Sequence, residues 1–550
     1  MSKLGSIKVE TALKMASELL AKDTSASSEM RAMMSLLISV VAIQAEQLHL
    51  AKEQIQALRD EIAILKGQKP RPKIPKSNLE GKDQQKDGDK KESEGKRPGS
   101  AKRSKTGELA IHETIKLNPD GVQPDWIFKG YSDFVVQGLV IEPHNTRYQR
   151  ARWLTPSGET VMASLPQDVL GHFDSTLISF IQHQYFACRV TQPLLLDLIR
   201  DLGIDISAGQ LNEILTEDKE DFHLEKAGIL SAGLAVSAFI QTDDTGARHE
   251  GKNGYCTCVS NDLFAFFSSS SSKSRINFLS ILRAGHEDYL INADASDYMT
   301  QYDLPKKVID LVVGAQIQSF PDQKAWTSHL EILGITSSRH VQIATESALL
   351  ASALTHGLSK DLVILSDDAG QFNILLHALC WVHAERTINK LIGFTDEQRS
   401  AIALARDQIW TLYQKLKEYK LSPSTELRLK IETDFETLFS QKTCFVSLNL
   451  ALGRIAKNKE ELLRVLDHPE TPLHNNGCET DIRDRVSQRK VCGGTQSDLG
   501  RRARDTFASL KRTCRKLGVS FWKYLNDRNA AVNLIPQLSQ LIMDRAAVRA

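Results

Sequence analysis

The most constraining stretch lies near the middle of the chain. Val236-Ser237-Ala238-Phe239-Ile240-Gln241-Thr242 has the length and apolar content of a buried strand, and it ends at Asp243-Asp244-Thr245-Gly246. Two further runs follow between turn residues: Gly254-Tyr255-Cys256-Thr257-Cys258-Val259 and Leu263-Phe264-Ala265-Phe266-Phe267. Three short strands in succession predict an antiparallel meander whose first strand carries a carboxylate at its C-terminal end. Ser274 to Leu282 then reads as a helix.

Two more acids stand in comparable settings. Leu362-Val363-Ile364-Leu365 is an apolar run of strand length that leads into Asp367-Asp368. In Leu473-His474-Asn475-Asn476-Gly477-Cys478-Glu479, Asn476 reads as a helix N-cap and Glu479 falls in the first turn. Each acid alone has an ordinary explanation: Asp is common turn chemistry at a strand end, and Glu three residues after Asn resembles a capping box. Together, two strand-end aspartates and a first-turn glutamate are a donor set for two Mg²⁺ ions, which prefer carboxylate oxygens. Such a pair drives in-line phosphoryl displacement. Asp243 or Asp244, and Asp367 or Asp368, can each be the ligand; Asp294, after Tyr289-Leu290-Ile291, is a further alternate.

The rest of the 550-residue chain bounds this chemistry. A formal charge of +1 excludes a uniformly basic, histone-like chain. No apolar run reaches the roughly eighteen residues of a membrane span, so no membrane association is expected. No secretory signal is evident, and eight scattered cysteines suit a reducing, cytoplasmic setting. The N-terminal segment (1–66) carries heptads: Val41, Leu48, Ile55 and Ile62 on one register, Leu37, Ala51, Leu58 and Leu65 on the other, with Gln44 interrupting. That is a coiled-coil seam over 30–66, and it predicts a homo-oligomer. Residues 67–107, with thirteen Lys/Arg against six Asp/Glu and few bulky apolar side chains, read as a disordered basic linker.

A small β-rich module is expected over 108–165, around Trp126, Phe128, Tyr131 and the turn Pro156-Ser157-Gly158. It has no cysteine, so it is not a zinc ribbon. Residues 166–230 read as a helix-turn-helix-like, DNA-binding region. Leu194, Leu195, Leu198 and Ile199 share one helix face, Gly203 ends that helix, and Gln210 and Asn212 fall on the open face of the next. Cys380, His383, Cys256 and Cys258 could in principle hold zinc. Cysteine is also a favoured buried residue, so core packing is expected and zinc is not; His383 and Cys380 are read as lying near the acids. From Arg483 to Lys516 eleven Lys/Arg face three Asp/Glu. Arg483, Arg489, Lys490, Arg501, Arg502, Arg504, Lys511 and Arg512 are candidate phosphate contacts, with Gly493-Gly494 allowing close backbone approach.

Four blocks carry a family resemblance: Asp243-Asp244-Thr245; Asp367-Asp368-Ala369-Gly370-Gln371-Phe372; Cys380-Trp381-Val382-His383-Ala384-Glu385-Arg386; and Asn475-Asn476-Gly477-Cys478-Glu479 with Arg489-Lys490 and Gly493-Gly494. With them the chain resembles the bacterial transposases of the insertion sequence 66 family. One departure is the lack of the paired cysteines that family often carries ahead of the core. The resemblance implies an α/β fold with a ribonuclease H-like core in two parts, 231–392 and 471–550, the second carrying the Glu helix and a basic C-terminal region. A helical insertion, 393–470, separates them. It further implies a DDE triad of Asp243, Asp367 and Glu479, with two Mg²⁺ (or Mn²⁺) ions. The implied activity is cleavage and strand transfer of double-stranded DNA, at the element's terminal inverted repeats and in the target, in a bacterial cytoplasm. Accessory proteins of the same element are an open class of partner. The alternatives are a ribonuclease H-like nuclease without strand transfer, and a catalytically inactive DNA-binding coiled-coil protein.

Overall fold

The computed structural model describes residues 110–121, 123–166 and 171–549, together with residues 27, 30, 33 and 34. The coiled-coil seam and the basic linker lie, but for residues 30, 33 and 34, outside the described residues. The chain divides into two units, Met1–Val136 and Gln137–Ala550. In the first, the described residues from 110 onward form no helix or strand. Phe128 meets Tyr131 edge to face at 4.9 Å, while Trp126 and Phe134 stay exposed.

The second unit has one early hairpin, β1 (Arg152–Leu154) with β2 (Thr160–Met162), around the expected turn. The β-rich module is thus reduced to six paired residues among those described. An alternating pattern becomes a strand only where another backbone offers hydrogen-bonding groups. Here Trp153, Leu154 and Val161 remain exposed.

Helices follow: α1 (Ser175–Gln182), a π-helical turn (His183–Ala187), α2 (Gln192–Asp201), α3 (Ala208–Thr216) and α4 (Glu220–Ala235). Gly203, at φ +84°, closes the end of α2. Ser207 starts α3, its hydroxyl accepting from Gln210 N–H while the Gln210 side chain accepts from Ser207 N–H. Leu195, Ile199, Leu211 and Leu215 are buried.

Next comes the meander, β3 (Phe239–His249), β4 (Lys252–Ser260) and β5 (Ala265–Ser270). A mostly helical segment intervenes: α5 (Arg275–Leu282), β6 (Tyr289–Leu290), α6 (Ala293–Gln301), α7 (Lys306–Val313), β7 (Ser319–Phe320), α8 (Gln323–Ile332) and α9 (Ser338–Thr355). Ala344, Ala348 and Ala351 of α9 are fully buried, small enough to let that helix lie inside the core. Strands β8 (Val363–Ser366) and β9 (Leu376–Leu379) complete a five-stranded mixed sheet of order β5-β4-β3-β8-β9. β3, β4 and β5 are antiparallel; β8 runs parallel to both β3 and β9. The chain is therefore a mixed α/β protein.

One expectation needs correction. The strand predicted to stop at Thr242 continues to His249. Phe239 to Gln241 pair with β8, and the residues beyond pair with β4. Asp243 is mid-strand on its antiparallel side and just past the end of its parallel neighbour.

After β9 come α10 (Trp381–Asn389), α11 (Asp396–Leu421), α12 (Thr425–Ser440), α13 (Val446–Lys457) and α14 (Lys459–Leu462). They close around their own apolar cluster, which includes Trp381, Ile409, Ile431, Phe435 and Leu448. Each such side chain contributes roughly 1.5–3 kcal/mol on burial. The chain then returns to the sheet as α15 (Asn476–Cys492), α16 (Asp498–Lys516), α17 (Phe521–Asn529) and α18 (Leu538–Arg549). α16 docks on β5: Asp505 accepts from Ser269 N–H (2.8 Å) and Ser269 Oγ (2.9 Å), and Ser509 Oγ accepts from Phe267 N–H (2.9 Å). No helix among the described residues is long and apolar enough to cross a membrane.

Candidate active site

Successive strand residues face opposite sides of a sheet, so Asp243 and Asp244 part company. Asp244 forms an ion pair with Lys273 and accepts from the Gln371 amide at 2.7 Å. Among the described residues Asp243 makes no such ion pair, and it feels the charges of Asp367 and Glu479. Burial, and then the charges of Asp367, Asp244 and Glu479, push its carboxyl up to about 6, against the N–H that Asp244 donates to it at 2.7 Å. These acids, far apart in sequence, act on one another electrostatically.

Asp367 follows directly from β8, half-buried, and accepts from Ala369 N–H at 3.2 Å. Asp368 is exposed. Asp294 lies in the first turn of α6 and pairs with Lys360, so that alternate belongs to a different part of the fold.

Glu479 is delivered by a short, tightly bonded segment. Gln241 Nε2 donates to His474 O and Asn475 Nδ2 donates to Thr242 O, both at 2.9 Å. Asn475 N–H meets Cys380 Sγ at 3.3 Å, and Trp381 N–H donates to Leu473 O at 3.0 Å. The segment is thereby stitched to β3 on one side and to the start of α10 on the other. Asn475, not Asn476, is the N-cap position, and its side chain bonds β3 rather than its own helix. Glu479 does not close a capping box either: its Oε1 is buried without a hydrogen-bond partner. Gly477 leaves room at the crossing: a Cβ there would run into Gln241 Oε1 and push that side chain aside.

His383 and Cys380 lie beside the acids. His383 Nε2 is 3.7 Å from Glu479 Oε1 and 3.2 Å from Arg386 Nη1. Burial raises the Cys380 thiol, with Glu479 among the charges it feels. Cys256 and Cys258 pack with Cys478, Phe267 and Ile482, and burial pushes the Cys256 thiol up to about 11.

Among the described residues, the one trio whose ligand atoms all fall within 4.8 Å of one another is His286, Asp288 and His356. There Asp288 accepts from His356 Nε2 (3.0 Å) and Ser352 Oγ (2.9 Å), tying the loop after α5 to the end of α9. Asp243, Asp367 and Glu479 are more widely spread.

The basic run does not form one exposed face. Arg483 and Lys490 are exposed on α15. Arg489 bonds Gly246 O, Arg501 pairs with Asp498 (2.7 Å), and Arg502 grips Glu220 with two bonds (2.9 and 3.0 Å). Arg504 is buried against Gly493 O (2.8 Å) and Tyr185 Oη (2.9 Å). Lys511 pairs with Asp484 and Arg512 with Asp481. The last three are internal fasteners of α16: its interior faces the sheet, and each charge that enters finds a carboxylate or carbonyl there. Gly494 packs its Cα against Arg248 O, where a Cβ would stand at 2.7 Å, so its immediate role is protein–protein approach. Gln210 is spent in the α3 cap. Asn212 Oδ1 accepts from Gln192 Nε2 at 3.2 Å.

Gln241, Lys273, Gln371 and Asn475 shape the site, and sequence reasoning passed over them. The available signal was polarity out of place: Gln241 is a long polar side chain inside an apolar strand run.

Two comparisons bear on this geometry. A family model described as "Transposase IS66 family" matches residues 350–503, a span that includes Asp367 and Glu479. A protein of Sinorhizobium fredii (strain NBRC 101917 / NGR234), "Uncharacterized protein y4jO", is 40% identical over 302 residues, covering 54% of this chain and 94% of that protein.

Proposed function

Because the chain belongs to the IS66 family of transposases, we propose that it cuts and joins DNA at the ends of a mobile element, with Asp243, Asp367 and Glu479 as holders of two Mg²⁺ or Mn²⁺ ions. The observation that carries this reading is that Asp243 lies within electrostatic reach of Asp367 and Glu479: burial first, then the charges of Asp367, Asp244 and Glu479, raise its carboxyl to about 6. A buried Glu479 oxygen without a hydrogen-bond partner adds to it. Such a donor set fits hard divalent cations. When bound, a pair of them would activate a water or 3′-hydroxyl and stabilise the leaving oxygen of an in-line displacement.

The protein's own groups have separable tasks. Asp243 must be ionised to serve as a ligand, so a divalent ion would compete with the proton that burial favours there. Lys273 and Gln371 hold Asp244 out of the donor set. Gln241 and Asn475 fix the start of α15, and so the reach of Glu479. His383, with its Nε2 3.7 Å from Oε1, borders that carboxylate.

We read the order β5-β4-β3-β8-β9 as a ribonuclease H-like core, interrupted after β9 by a helical insertion. We read α2 and α3 as a helix-turn-helix that meets the duplex through faces other than Gln210 and Asn212. Arg483 and Lys490 would contact phosphate, and the N-terminal heptads would pair protomers so that two ends can be brought together.

The test is cleavage and strand transfer on a duplex carrying the repeat that flanks the gene. Asp243→Asn, Asp367→Asn and Glu479→Gln should each abolish both steps while retaining DNA binding. Full activity in any of them removes that residue from the triad. Cutting without joining in the wild type makes the protein a nuclease instead.

A further inference from the structure

A cavity of about 180 Å³ lies at the far end of β3, walled by the β3–β4 turn, the Gly493–Thr495 stretch and the start of α16. Two of its cations are neutralised: Arg485 by Asp505 and Arg501 by Asp498. Arg248 donates to Gly251 O (3.0 Å), Arg489 to Gly246 O, and Arg504 to Gly493 O and Tyr185 Oη. Carbonyls orient a guanidinium without cancelling its charge. Lys252 is exposed at the rim, and Glu250 is the single carboxylate in the wall. Arg504, 7% exposed, keeps a buried Nε–H with no acceptor. Leaving such a group unmet is costly, so an anion would complete the floor.

The position of the cavity is informative. Gly246 to His249 lie three to six residues beyond Asp243 on the same strand, about 10–20 Å at ~3.3 Å per residue. α15 keeps pace beside it: Gly477 meets Gln241 and Arg489 meets Gly246, about 18 Å along the helix at ~1.5 Å per residue. At ~3.4 Å per nucleotide along one DNA strand, the cavity is about three to six nucleotides from the acids. It is smaller than the roughly 300–1,000 Å³ of small-molecule clefts, and so suits a phosphate better than a cofactor. An outer hollow of about 420 Å³, sharing Arg248, Tyr255 and Arg489, has room for adjoining sugars.

We propose that this cavity is a phosphate subsite for the DNA substrate, gripping one backbone phosphate about three to six nucleotides from the one held at Asp243, Asp367 and Glu479. The inference rests on the DNA-cutting reading above and adds where the strand is anchored.

The test measures binding of a duplex of arbitrary sequence against KCl concentration. It compares the full-length wild type, the rim pair Arg248→Gln/Lys252→Gln, and a control pair on α7, Lys306→Gln/Lys307→Gln. Each phosphate contact contributes about 0.9 to the slope of log affinity on log salt. The rim pair should lose about that much slope, so that from about 50 to 200 mM KCl it weakens some 3- to 4-fold less than wild type. The control pair should match the wild type. An unchanged slope in the rim pair, or equal losses in both pairs, overturns the subsite and leaves the DNA-cutting reading standing. Absence of any duplex binding by the wild type overturns both. Saturable stabilisation by inorganic phosphate, with the DNA slope unchanged in the rim pair, would make this a free-anion site and also overturn the assignment.

Discussion

Replacing Asp243 by asparagine should stabilise the metal-free protein while ending its divalent-ion chemistry. An ordinary aspartate ionises near 3.8, and this one at about 6, because burial and then the charges of Asp367, Asp244 and Glu479 oppose its anion. The folded value lies above the unfolded one, so stability falls as pH rises from about 3.8 to about 6, and the full penalty remains above that. At about 1.4 kcal/mol per pH unit the ceiling is about 3 kcal/mol; solvent reaching a half-buried group reduces it to about 1–2 kcal/mol. Asparagine keeps the shape and still accepts from Asp244 N–H, so the change removes charge and little else. Thermal unfolding in EDTA at pH 7.5 should therefore show the variant above wild type, with the difference shrinking toward pH 4. Adding Mn²⁺ should reverse the order. A ligand at a hundred times its dissociation constant contributes about 2.7 kcal/mol, and only the wild type has the donor set to gain it. A variant less stable than wild type in EDTA at pH 7.5, or equal stabilisation of both by Mn²⁺, would refute the electrostatic account of the site.

Gly477→Ala should cost about 1–3 kcal/mol, because the new Cβ displaces Gln241 and leaves the His474 carbonyl without its donor. The shift of Glu479 should cut Mn²⁺-dependent cleavage about 100-fold, and wild-type cleavage rates in this variant would exclude the crossing as the determinant of Glu479 position. Asp505→Ala should destabilise by about 3–5 kcal/mol by stranding buried Arg485 and freeing Ser269; chemical denaturation measures it, and a loss below about 1 kcal/mol would contradict the docking described for α16. His223 and His377 are both held down to about 4, by burial first and then by nearby Arg502 and Arg464 respectively. Their folded values lie below 6.5, so the unfolded chain takes up protons first, and stability is lost as pH falls from about 6.5 to about 4, by up to about 3 kcal/mol for His377 and, with solvent screening, about 1–2 kcal/mol for His223. The variant His223→Gln/His377→Gln should flatten that part of the stability–pH curve, and an unchanged acid slope would assign it to carboxylates instead.

What the sequence disclosed, and what it hid, follows from the range of the forces involved. Leu362–Leu365 and the helices around Ile402–Tyr419 and Leu427–Phe439 were legible because their apolar spacing is local. The end of β3 was not. Nothing in Thr245-Gly246-Ala247 announces a strand; it is one because β4 folds back beside it and pairs through His249. Trp126 and Phe134 show the reverse case, strand-like residues with no strand. The acids could be named from the sequence, but the pairing of Asp244 with Lys273 could not, because the position of Lys273 depends on the meander being folded. The basic run misled most. Composition counts charges without their partners, and Asp481, Asp484 and Asp505 consume Arg512, Lys511 and Arg485 inside the fold.

The helical segment between the second and third acids would, if its ends were free, make the position of Glu479 depend on every residue in between. Its ends are not free. Cys380 N–H bonds Ser366 O at the tip of β8, and the chain returns with Asn475 N–H on the sulfur of that same Cys380. The segment thus leaves and re-enters at one point, next to Asp367, and it carries its own apolar core. Closing a long loop costs only logarithmically more than closing a short one, so such a segment can lengthen or change with little effect on the acids. The three carboxylates are then set by contacts within a few residues of each: Gln241 and Asn475 at the crossing, Ser366 and Cys380 at the tip of β8. Changes on the outer faces of α11 to α13 should alter whatever those helices touch and leave the geometry of Asp243, Asp367 and Glu479 as it is.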